Sequence, residues 1–383
     1  MSAPARLMLM YAGIFLGVGI MMSFLPLHLR TLGFSATAMG AVFALRPAVQ
    51  VVTPTLWGMW ADHRGDARFP LRLATVGSLL AFVPLLFSRD AAVVSALLLL
   101  QTAFGAGLVP LTDGMTLATL HKNPGGFGRV RVAGTVSFGV GVLGFSVLLG
   151  PTGGSMEQAG EWSVPAILAA MAACVATSLL LPEVPPQPRE RGAKVTALIR
   201  PLWLFLLVNA LHWAAHATYT VFFGVHVADL GLGPHVVSVS LVAAVGVETV
   251  VLFAAPRLMQ RFSTRVLLVA AILVAILRWW VSSWATAAWL IVGAQALHGV
   301  SFGLAYVLGV TWVRARVPDE ARSTGQGLFT AVVFGGGGTL GTALAGVAYD
   351  AGRGAAAFNL AVVLELAALA LFAAGEWRAH RAR

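Results

Sequence analysis

The stretch LHLRTLG at residues 27–33 returns as VHVADLG at residues 225–231, at a shift of 198 residues. Both copies keep a histidine, a leucine and a final glycine, and each follows the first long apolar run of its half of the chain. A further anchor, Gln101 with Gln295, repeats at a shift of 194 residues. Because the anchors occur in the same order in both halves, the sequence indicates a parallel duplication.

The composition indicates a chain embedded in lipid. Of the 383 residues, 58% are hydrophobic and 10% are charged, against roughly 25% charged residues in a typical soluble domain. A transmembrane helix needs about 20 mainly apolar residues, and twelve segments of this chain meet that requirement. The twelve predicted spans lie at residues 7–29, 36–58, 70–88, 92–118, 132–150, 163–182, 201–224, 235–255, 265–282, 286–311, 323–347 and 355–375.

Basic residues indicate the orientation, because cytoplasmic loops carry an excess of lysine and arginine. With the N-terminus inside, the predicted cytoplasmic segments hold 20 of these residues and the predicted outer loops hold 3. The net charge of +10 is therefore a topology signal and does not indicate a nucleic-acid partner. The apolar run at residues 7–27 is longer than a signal-peptide core, so we expect a retained first span. We expect a multi-pass protein of the bacterial inner membrane with both termini in the cytoplasm.

A proline-rich, charged stretch, PEVPPQPRERGAKV at residues 182–195, divides the spans into two sets of six. We therefore predict an N-terminal six-helix bundle at residues 1–182, a cytoplasmic linker at 183–200 and a C-terminal six-helix bundle at 201–383. The predicted fold class is an all-α membrane protein with twelve transmembrane helices in two pseudo-symmetric halves.

Several motifs argue against other functional classes. Two G-x-G-x-x-G patterns, Gly139–Gly144 and Gly336–Gly341, lie inside apolar spans, so close helix packing explains them better than a dinucleotide loop does. The sequence contains no Walker motif and no grouping typical of an enzymatic nucleophile. His212 and His216 share one helix face but lack the acidic residue of a helical zinc motif, so we interpret them as polar groups that face a cavity.

The ionisable residues inside spans are the most informative, because each is costly in lipid and tends to mark a pathway or a relay. Arg278 lies far from the ends of its span and needs an acceptor, for which Glu248 is the nearest candidate by span order. Arg46 and Asp113 are interpreted either as a structural or gating pair across spans two and four, or as substrate ligands. Glu365, in a span expected to be peripheral, is interpreted as reaching the membrane interface or forming a structural pair.

Six stretches spread along the chain carry a more specific pattern. They are GLVPLTDGMT (107–116), GRVRVAGTVSFGVG (128–141), ALHWAAHATYTVFF (210–223), AVGVETVVLF (244–253), ILRWWV (276–281) and QALHG (295–299). With these stretches the chain resembles the major facilitator superfamily, and more narrowly the phenylpropionate-permease-like group related to the lactose/proton symporters. The resemblance implies two six-helix halves that rock around a midplane site.

The resemblance also implies residue roles. Lactose permeases use a glutamate in span eight, an arginine in span nine and a histidine in span ten for proton coupling and substrate binding, and Glu248, Arg278 and His298 match them. The proton-carrying glutamate one helical turn after that histidine is Ser301 here. The sugar-binding pair of spans four and five is missing, because span five has no interior charge and span four offers only Asp113. Galactoside recognition is therefore not expected.

The stretch GMWADHRGDAR at residues 58–68 lies between spans two and three and resembles the family's loop signature G-x-x-x-D-R-x-G-R-R. Gly58, Asp62 and Gly65 match it, whereas two of the usual basic residues are replaced. In the family the aspartate caps a neighbouring helix and ties helix ends together in one access state. We therefore predict a gating loop, with an ordinary charged turn as the alternative.

These observations predict a proton-coupled secondary transporter that imports a small organic solute, with an aromatic carboxylate suggested by the resemblance. Glu248, Arg278 and His298 are predicted to couple protons, with Asp113 the alternative to Glu248 as the main proton carrier. The predicted substrate cavity comprises Arg46, Asp113, His212, Trp213, His216, Tyr219, Trp279 and Gln295.

The expected partners are the substrate, protons and the lipid bilayer, and the expected state is a monomer. The proton gradient supplies the energy, so no cofactor and no metal are expected. Two alternatives stay open: a proton/drug antiporter on the same fold, and a membrane sensor that does not transport.

Overall fold

The computed structural model describes residues 1–120, 126–150, 154–184, 195–318 and 322–381. Within these ranges every regular element is a helix. Ten helices of the described chain are long and apolar enough to cross a membrane. The prediction of an all-helical, multi-span protein is confirmed, whereas most of the predicted linker at 183–200 lies outside the described residues.

Seven α-helices form the N-terminal part of the described chain. They are α1 (Ala3–Thr31), α2 (Ala36–Arg64), α3 (Arg68–Phe82), α4 (Ala91–Gly105), α5 (Leu108–Thr119), α6 (Phe127–Leu148) and α7 (Met156–Ser178). Polar side chains fix some of the helix starts. The carboxylate of Asp90 accepts two amides of α4, and Ser155 forms a capping box with Gln158 at the start of α7. Local sequence therefore determines where these spans begin.

Seven α-helices and two π-helical segments form the rest of the described chain. The α-helices are α8 (Val195–Asp229), α9 (Pro234–Arg261), α10 (Thr264–Trp284), α11 (Ala288–Ala296), α12 (Ala305–Arg316), α13 (Arg322–Phe329) and α14 (Gly338–Arg381). The π-helical segments are π1 (Gly299–Leu304) and π2 (Thr330–Gly337). Two helices make up α14, and they join at a break where Arg353 has a φ of 54°.

The repeated stretches that mark the duplication fold into the same turn. Gly33, after α1, has a φ of 85°, and Gly231, after α8, has a φ of 72°. At both places the amide of the residue after the glycine donates to the carbonyl five residues before it, at 3.1 Å. Glycine adopts this left-handed conformation at little cost, so the repeated glycine has a structural reason in both copies.

The chain forms two compact units. Unit 1 comprises Met1–Phe34, Ala48–Arg189 and Gly233–Ser238, and unit 2 comprises Ser35–Pro47, Glu190–Leu232 and Val239–Arg383. Each unit has its own apolar core, which includes Tyr11 and Leu71 in unit 1 and Leu268 and Phe329 in unit 2. The division of the chain at the 183–200 linker stays a prediction.

Glycines bring helices close together inside each unit. In unit 1 a Cβ on Gly141 would lie 2.5 Å from the carbonyl oxygen of Leu16, and in unit 2 a Cβ on Gly341 would lie 2.2 Å from that of Ala214. No other side chain fits at such distances. The helix-packing interpretation of the two glycine runs is confirmed at these positions.

The first turn of α2 is held by a residue near the other end of the chain. The two carboxylate oxygens of Asp350 accept from the amides of Ala36 and Thr37, at 2.9 and 2.7 Å. The backbones also approach closely, since a Cβ on Gly40 would lie 2.9 Å from the Cα of Gly346. A carboxylate at a helix N-terminus satisfies free amides and favours the helix dipole. The start of α2 therefore packs with α14 in unit 2.

Candidate functional site

Arg278, on α10, is completely buried and forms the centre of a hydrogen-bond network in unit 2. Its Nε and Nη2 both donate to Oε1 of Gln295, at 3.0 and 2.7 Å. Its Nη1 donates to Nδ1 of His298 at 3.0 Å and to the hydroxyl of Ser301 at 3.3 Å. Within the described chain the guanidinium is therefore bonded to an amide, an imidazole and a hydroxyl, and to no carboxylate.

His298 connects this network to Glu248. Because a guanidinium only donates, Nδ1 of His298 must accept, and the proton of the neutral ring lies on Nε2. Nε2 is 3.7 Å from Oε2 of Glu248. The side chains of Glu248 and His298 are 22% and 13% exposed. Glu248, His298 and Arg278 thus form a row that leads from a partly exposed carboxylate, through an imidazole, to a buried guanidinium.

The structure brings the three predicted proton-coupling residues together, but in a different order. Span order suggested a direct ion pair between Arg278 and Glu248, and this expectation is wrong because His298 lies between them. The physical reason is that α10 packs against π1, so the guanidinium meets residues just before and inside π1. Among the described residues, no carboxylate forms a hydrogen bond with Arg278.

Two aromatic rings cover the guanidinium. Its Cζ lies 4.3 Å from the ring centre of Tyr219 and 4.1 Å from that of Trp279, both predicted cavity residues. Such contacts stabilise a desolvated cation through the ring quadrupole. The hydroxyl of Tyr219 is buried and has no hydrogen-bond partner in the described part of the chain.

A glutamine–serine hydrogen bond occurs in both units. The side-chain amide of Gln101 donates to Ser78 at 3.0 Å in unit 1, and that of Gln295 donates to Ser282 at 3.2 Å in unit 2. One helical turn before the serine, unit 1 has an alanine and unit 2 has Arg278. Both units therefore share the glutamine–serine hydrogen bond, but unit 2 alone has an arginine beside it at this position.

A second polar group adjoins the network at Ser301. Nδ1 of His212 lies 2.7 Å from Oε2 of Glu365, and its Nε2 lies 2.7 Å from the carbonyl oxygen of Ser301. Oε1 of Glu365 accepts from Nε1 of Trp279 at 3.3 Å and lies 3.9 Å from Nδ1 of His216. Glu365 is completely buried, so it forms a pair and does not reach the membrane interface.

A small pocket of about 20 Å³ with aromatic walls lies beside His212. Its aromatic walls are Trp213, Phe302, Tyr306, Phe329 and Phe334. Both π-helical segments contribute to it, and π-helical turns occur frequently at functional sites. The pocket adjoins the Arg278 network, because the ring of Phe302 stacks on that of His298 with centres 4.6 Å apart.

In unit 1, Asp113 contacts two residues that the sequence analysis did not connect with it. Its Oδ1 accepts from the hydroxyl of Tyr11 and lies 3.8 Å from Nε of Arg131. Helices α5 and α6 therefore do carry a charge pair, and the expectation that such a pair is missing is wrong, although residues 132–150 themselves hold no charge. Arg131 was assigned to the loop because the apolar run begins at residue 132, whereas α6 begins at Phe127.

Arg46 belongs to unit 2, in the part of α2 that packs with α14. Its guanidinium lies 5.5 Å from the ring centre of Phe43. Asp113 pairs with Arg131 within unit 1 and not with Arg46, whereas the interpretation of Arg46 and Asp113 as substrate ligands stays a prediction.

The predicted gating loop is a turn between α2 and α3. Gly65 has a φ of 66°, and its amide donates to the carbonyl of Asp62 at 3.2 Å. Asp66 lies one residue before Ala67, the N-cap of α3, and its Oδ1 accepts from the amide of Arg68 at 2.9 Å. The Asp62 side chain is exposed, and its expected contact with a neighbouring helix stays a prediction. A gating role for this loop, including Gly58, stays a prediction.

Two arginines of α3 hold the end of α7 within unit 1. Nη2 of Arg68 donates to Glu183 at 2.8 Å, and Arg72 donates to the carbonyls of Ser178 and Leu179 at 3.1 and 3.3 Å. Cations at a helix C-terminus interact favourably with its free carbonyls. Arg68 and Arg72 therefore tie the two helix ends together.

Asp66→Ala is expected to lower the thermal midpoint of unfolding at neutral pH by a small amount. Burial opposes ionisation of Asp66, but the hydrogen bonds and charge of Arg68 outweigh it and hold the pKa of this carboxyl below its ordinary 3.8. The carboxylate thus stabilises the fold above that value, and the contribution is lost as the pH falls through the lowered pKa. Since the group is partly exposed, we expect at most about 1 kcal/mol.

The measurement is thermal unfolding of the purified protein in detergent from neutral to acidic pH. Asp62→Ala is the matched control and should leave the midpoint unchanged. A midpoint difference for Asp66→Ala that persists undiminished into acid would contradict the account.

Comparisons with known proteins identify the family. The sequence profile described as the MFS_1 like family matches residues 5–360. The probable 3-phenylpropionic acid transporter of Escherichia coli is 28% identical over 357 residues, covering 89% of each chain. The maltose permease of Geobacillus stearothermophilus is 27% identical over 330 residues, covering 85% of this chain and 82% of that protein.

Solved structures show the same fold. A mutant of the nucleoside transporter NupG superposes with a TM-score of 0.86 at 17% identity, covering 97% of this chain and 100% of that one. A bacterial homologue of the human lysosomal transporter Spinster superposes with a TM-score of 0.74 at 16% identity, covering 97% and 95%. The expectation of a membrane transporter and not an enzyme is confirmed. The chain is a multi-pass membrane protein that belongs to the MFS_1 like family of transporters.

Proposed function

We propose that this protein is a proton-coupled symporter that imports a small organic anion, with an aromatic carboxylate as the preferred substrate class. The observation that carries the proposal is the environment of Arg278. A permanent cation is completely buried, and the four hydrogen bonds that it forms with described residues all go to uncharged groups.

A substrate carboxylate would supply the missing negative charge. A buried cation without a counter-ion is costly, and a carboxylate is the acceptor that matches the planar guanidinium fork. Gln295, His298 and Ser301 orient the guanidinium, while Tyr219 and Trp279 restrict where an anion can approach. This arrangement favours a monovalent organic anion over a neutral solute.

Glu248 is the proposed proton carrier. It is the partly exposed end of the row, and its Oε2 lies 3.7 Å from Nε2 of His298. When Glu248 holds a proton it carries no charge, so the substrate carboxylate is the anion that interacts with the positive field of Arg278. When Glu248 loses the proton, its negative charge competes with the substrate for the same positive field, which favours substrate release.

The aromatic pocket supports an aromatic substrate. Its wall residue Phe302 stacks on His298, a ligand of Arg278, so a ring and its carboxylate can use neighbouring sites. A relative that is 28% identical is named a probable 3-phenylpropionic acid transporter.

The proposed setting is the bacterial inner membrane, with twelve spans, both termini in the cytoplasm and a monomeric chain. Ten candidate spans occur in the described residues; α8 also has the length of a span, and the break in α14 divides the longest candidate. The basic residues of the predicted cytoplasmic loops support this orientation. The proton gradient is the proposed energy source, without a cofactor.

Glu248→Gln tests the proposal. A panel of aromatic carboxylates, sugars and nucleosides is first screened for uptake into proteoliposomes, with 3-phenylpropionate as the first probe. With the identified solute, we expect Glu248→Gln to abolish uphill accumulation driven by a proton gradient and to retain exchange of solute across the membrane. Glutamine keeps the shape of the side chain but cannot release a proton.

Glu157→Gln, which changes an exposed glutamate at the start of α7, is the control and should accumulate solute like the wild type. Full accumulation by Glu248→Gln would reject Glu248 as the proton carrier. Solute movement opposite to the proton flux would instead identify the antiporter alternative.

A further inference from the structure

We propose that His212 and Glu365 form a second proton-binding site of this transporter. The inference rests on the proposed proton-coupled function and adds a site outside the row of Glu248, His298 and Arg278. Three observations carry it: the hydrogen bonds of the pair, its complete burial, and its connection to Arg278 through Ser301.

The hydrogen bonds fix the number of protons that the pair holds. A carbonyl oxygen only accepts, so the contact with Ser301 places a hydrogen on Nε2 of His212. The 2.7 Å contact between Nδ1 of His212 and Oε2 of Glu365 needs one more proton, which can sit on either group. In both arrangements the pair has no net charge. The two 2.7 Å contacts therefore fit the proton-loaded form of the pair.

Loss of that proton would leave a carboxylate facing a nitrogen lone pair in a dry interior. The Glu365 side chain is 0% exposed, and the indole of Trp279 would be its remaining donor. A buried charge with so few hydrogen bonds is strongly disfavoured. The contact between α8 and α14 must then open or gain a new partner. The pair thus has two states that differ in packing as well as in charge.

The titratable and charged groups around the pair come from three elements. His216 on α8 has its Nδ1 3.0 Å from the carbonyl of His212, so it carries a hydrogen there, and its Nε2 has no partner among the described residues. Arg278 on α10 and His298 before π1 complete the set. Arg278 is the permanent charge, and it stabilises the deprotonated pair.

Ser301 connects the pair to Arg278. Its carbonyl accepts from His212, its hydroxyl accepts from Arg278, and it lies within π1. An anion bound at Arg278 neutralises the charge that opposes the proton on the pair. Proton and anion therefore favour each other's binding, and by linkage the effect is equal in both directions. This is the sign of coupling that symport requires.

A proton fits this cluster better than a metal ion does. His212, His216 and Glu365 place three ligand-capable atoms within 4.8 Å of one another. A divalent ion would bring two positive charges next to Arg278 with a single carboxylate to balance them. One proton leaves the pair neutral, which suits its burial.

Glu365→Gln tests the inference, because a glutamine amide can donate to Nδ1 of His212 and accept from Trp279, as the protonated pair does. We expect this variant to keep the wild-type thermal midpoint. Infrared difference spectra of purified protein between neutral and alkaline buffer should show a carboxyl or imidazole signal in the wild type and in Glu248→Gln. We expect that signal to be lost in Glu365→Gln. Superimposable spectra of wild type and Glu365→Gln would overturn the inference.

A second variant keeps the test decisive if Glu365→Gln does not fold. In His212→Gln the new amide can donate to the carbonyl of Ser301 and accept from a protonated Glu365. Combined with Glu248→Gln, this variant should retain one titrating carboxylic-acid signal, and loss of every such signal would overturn the inference. Neither readout needs a substrate, so failure of this site is distinguishable from failure of the proposed transport.

Discussion

Arg278→Met is expected to reduce transport of the identified solute at least about 100-fold, because removal of one member of a buried charge pair costs about 3 kcal/mol or more. Methionine has a similar length and fills the space between Tyr219 and Trp279, so the variant should remain folded. The amide of Gln295 and the ring of His298 lose their donor, and the anion loses the buried cation. The measurement is initial uptake rate at several solute concentrations, together with the thermal midpoint.

Arg278→Lys separates charge from geometry. A lysine keeps the positive charge, but a single ammonium cannot reach Gln295, His298 and Ser301 as the guanidinium fork does. We expect an intermediate loss of about 10-fold or more. Arg265→Met, in the exposed first turn of the same helix, is the control and should transport within a few-fold of the wild type. Uptake by Arg278→Met within a few-fold of the wild type would contradict an anion site at this residue.

Gly341→Ala is expected to prevent recovery of folded protein. The added methyl would lie 2.2 Å from the carbonyl oxygen and 2.4 Å from the Cα of Ala214, and neither backbone atom can turn aside as a side chain can. The helices α14 and α8 would have to separate along their shared face. Overpacking of this kind costs about 3 kcal/mol or more, a large fraction of the stability of a folded protein.

The measurement is the yield of monodisperse protein in detergent and its thermal midpoint. Gly336→Ala, in the same glycine run, is the matched control because its Cβ would meet no atom closer than 3.9 Å. We expect near-wild-type yield for this control. Equal behaviour of the two variants would mean that the close approach at Gly341 does not limit folding.

Much of the fold could be predicted from the sequence because its signals are local. Apolar runs of span length, polar caps and the repeated glycine turns each depend on neighbouring residues, and all of them correspond to helices or turns in the structure. The interior position of Glu248, Arg278 and His298 in unit 2 also follows from the rule that ionisable residues inside spans face protein and not lipid.

The partners of these residues could not be predicted in the same way. Which groups meet depends on the rotation of each helix about its axis. The wider turn of π1 changes that rotation for the residues that follow it, and the apolar pattern of the sequence does not reveal this change. Span order therefore suggested Glu248 as the partner of Arg278, whereas Gln295 and His298 fill that role. Burial of Glu365 was missed for a related reason, since it depends on α8 packing against α14.

Arg131 was missed because hydropathy detects the lipid-facing core of a helix and not its full length. Helix α6 starts five residues before the apolar run at 132–150, and Arg131 lies in those extra turns. A search for acidic residues at matching depth in neighbouring spans would have suggested its contact with Asp113.

The contact of Asp350 with the start of α2 has a consequence for the order in which the protein matures. The amides of Ala36 and Thr37 leave the ribosome more than 300 residues before the carboxylate that accepts from them, since the two partners are separated by 314 and 313 positions. Until α14 has been synthesised and inserted, the first turn of α2 lacks its acceptors and is prone to fray. A chain truncated before Asp350 would therefore leave the first turn of α2 without these acceptors, so that turn is completed only after α14 has formed.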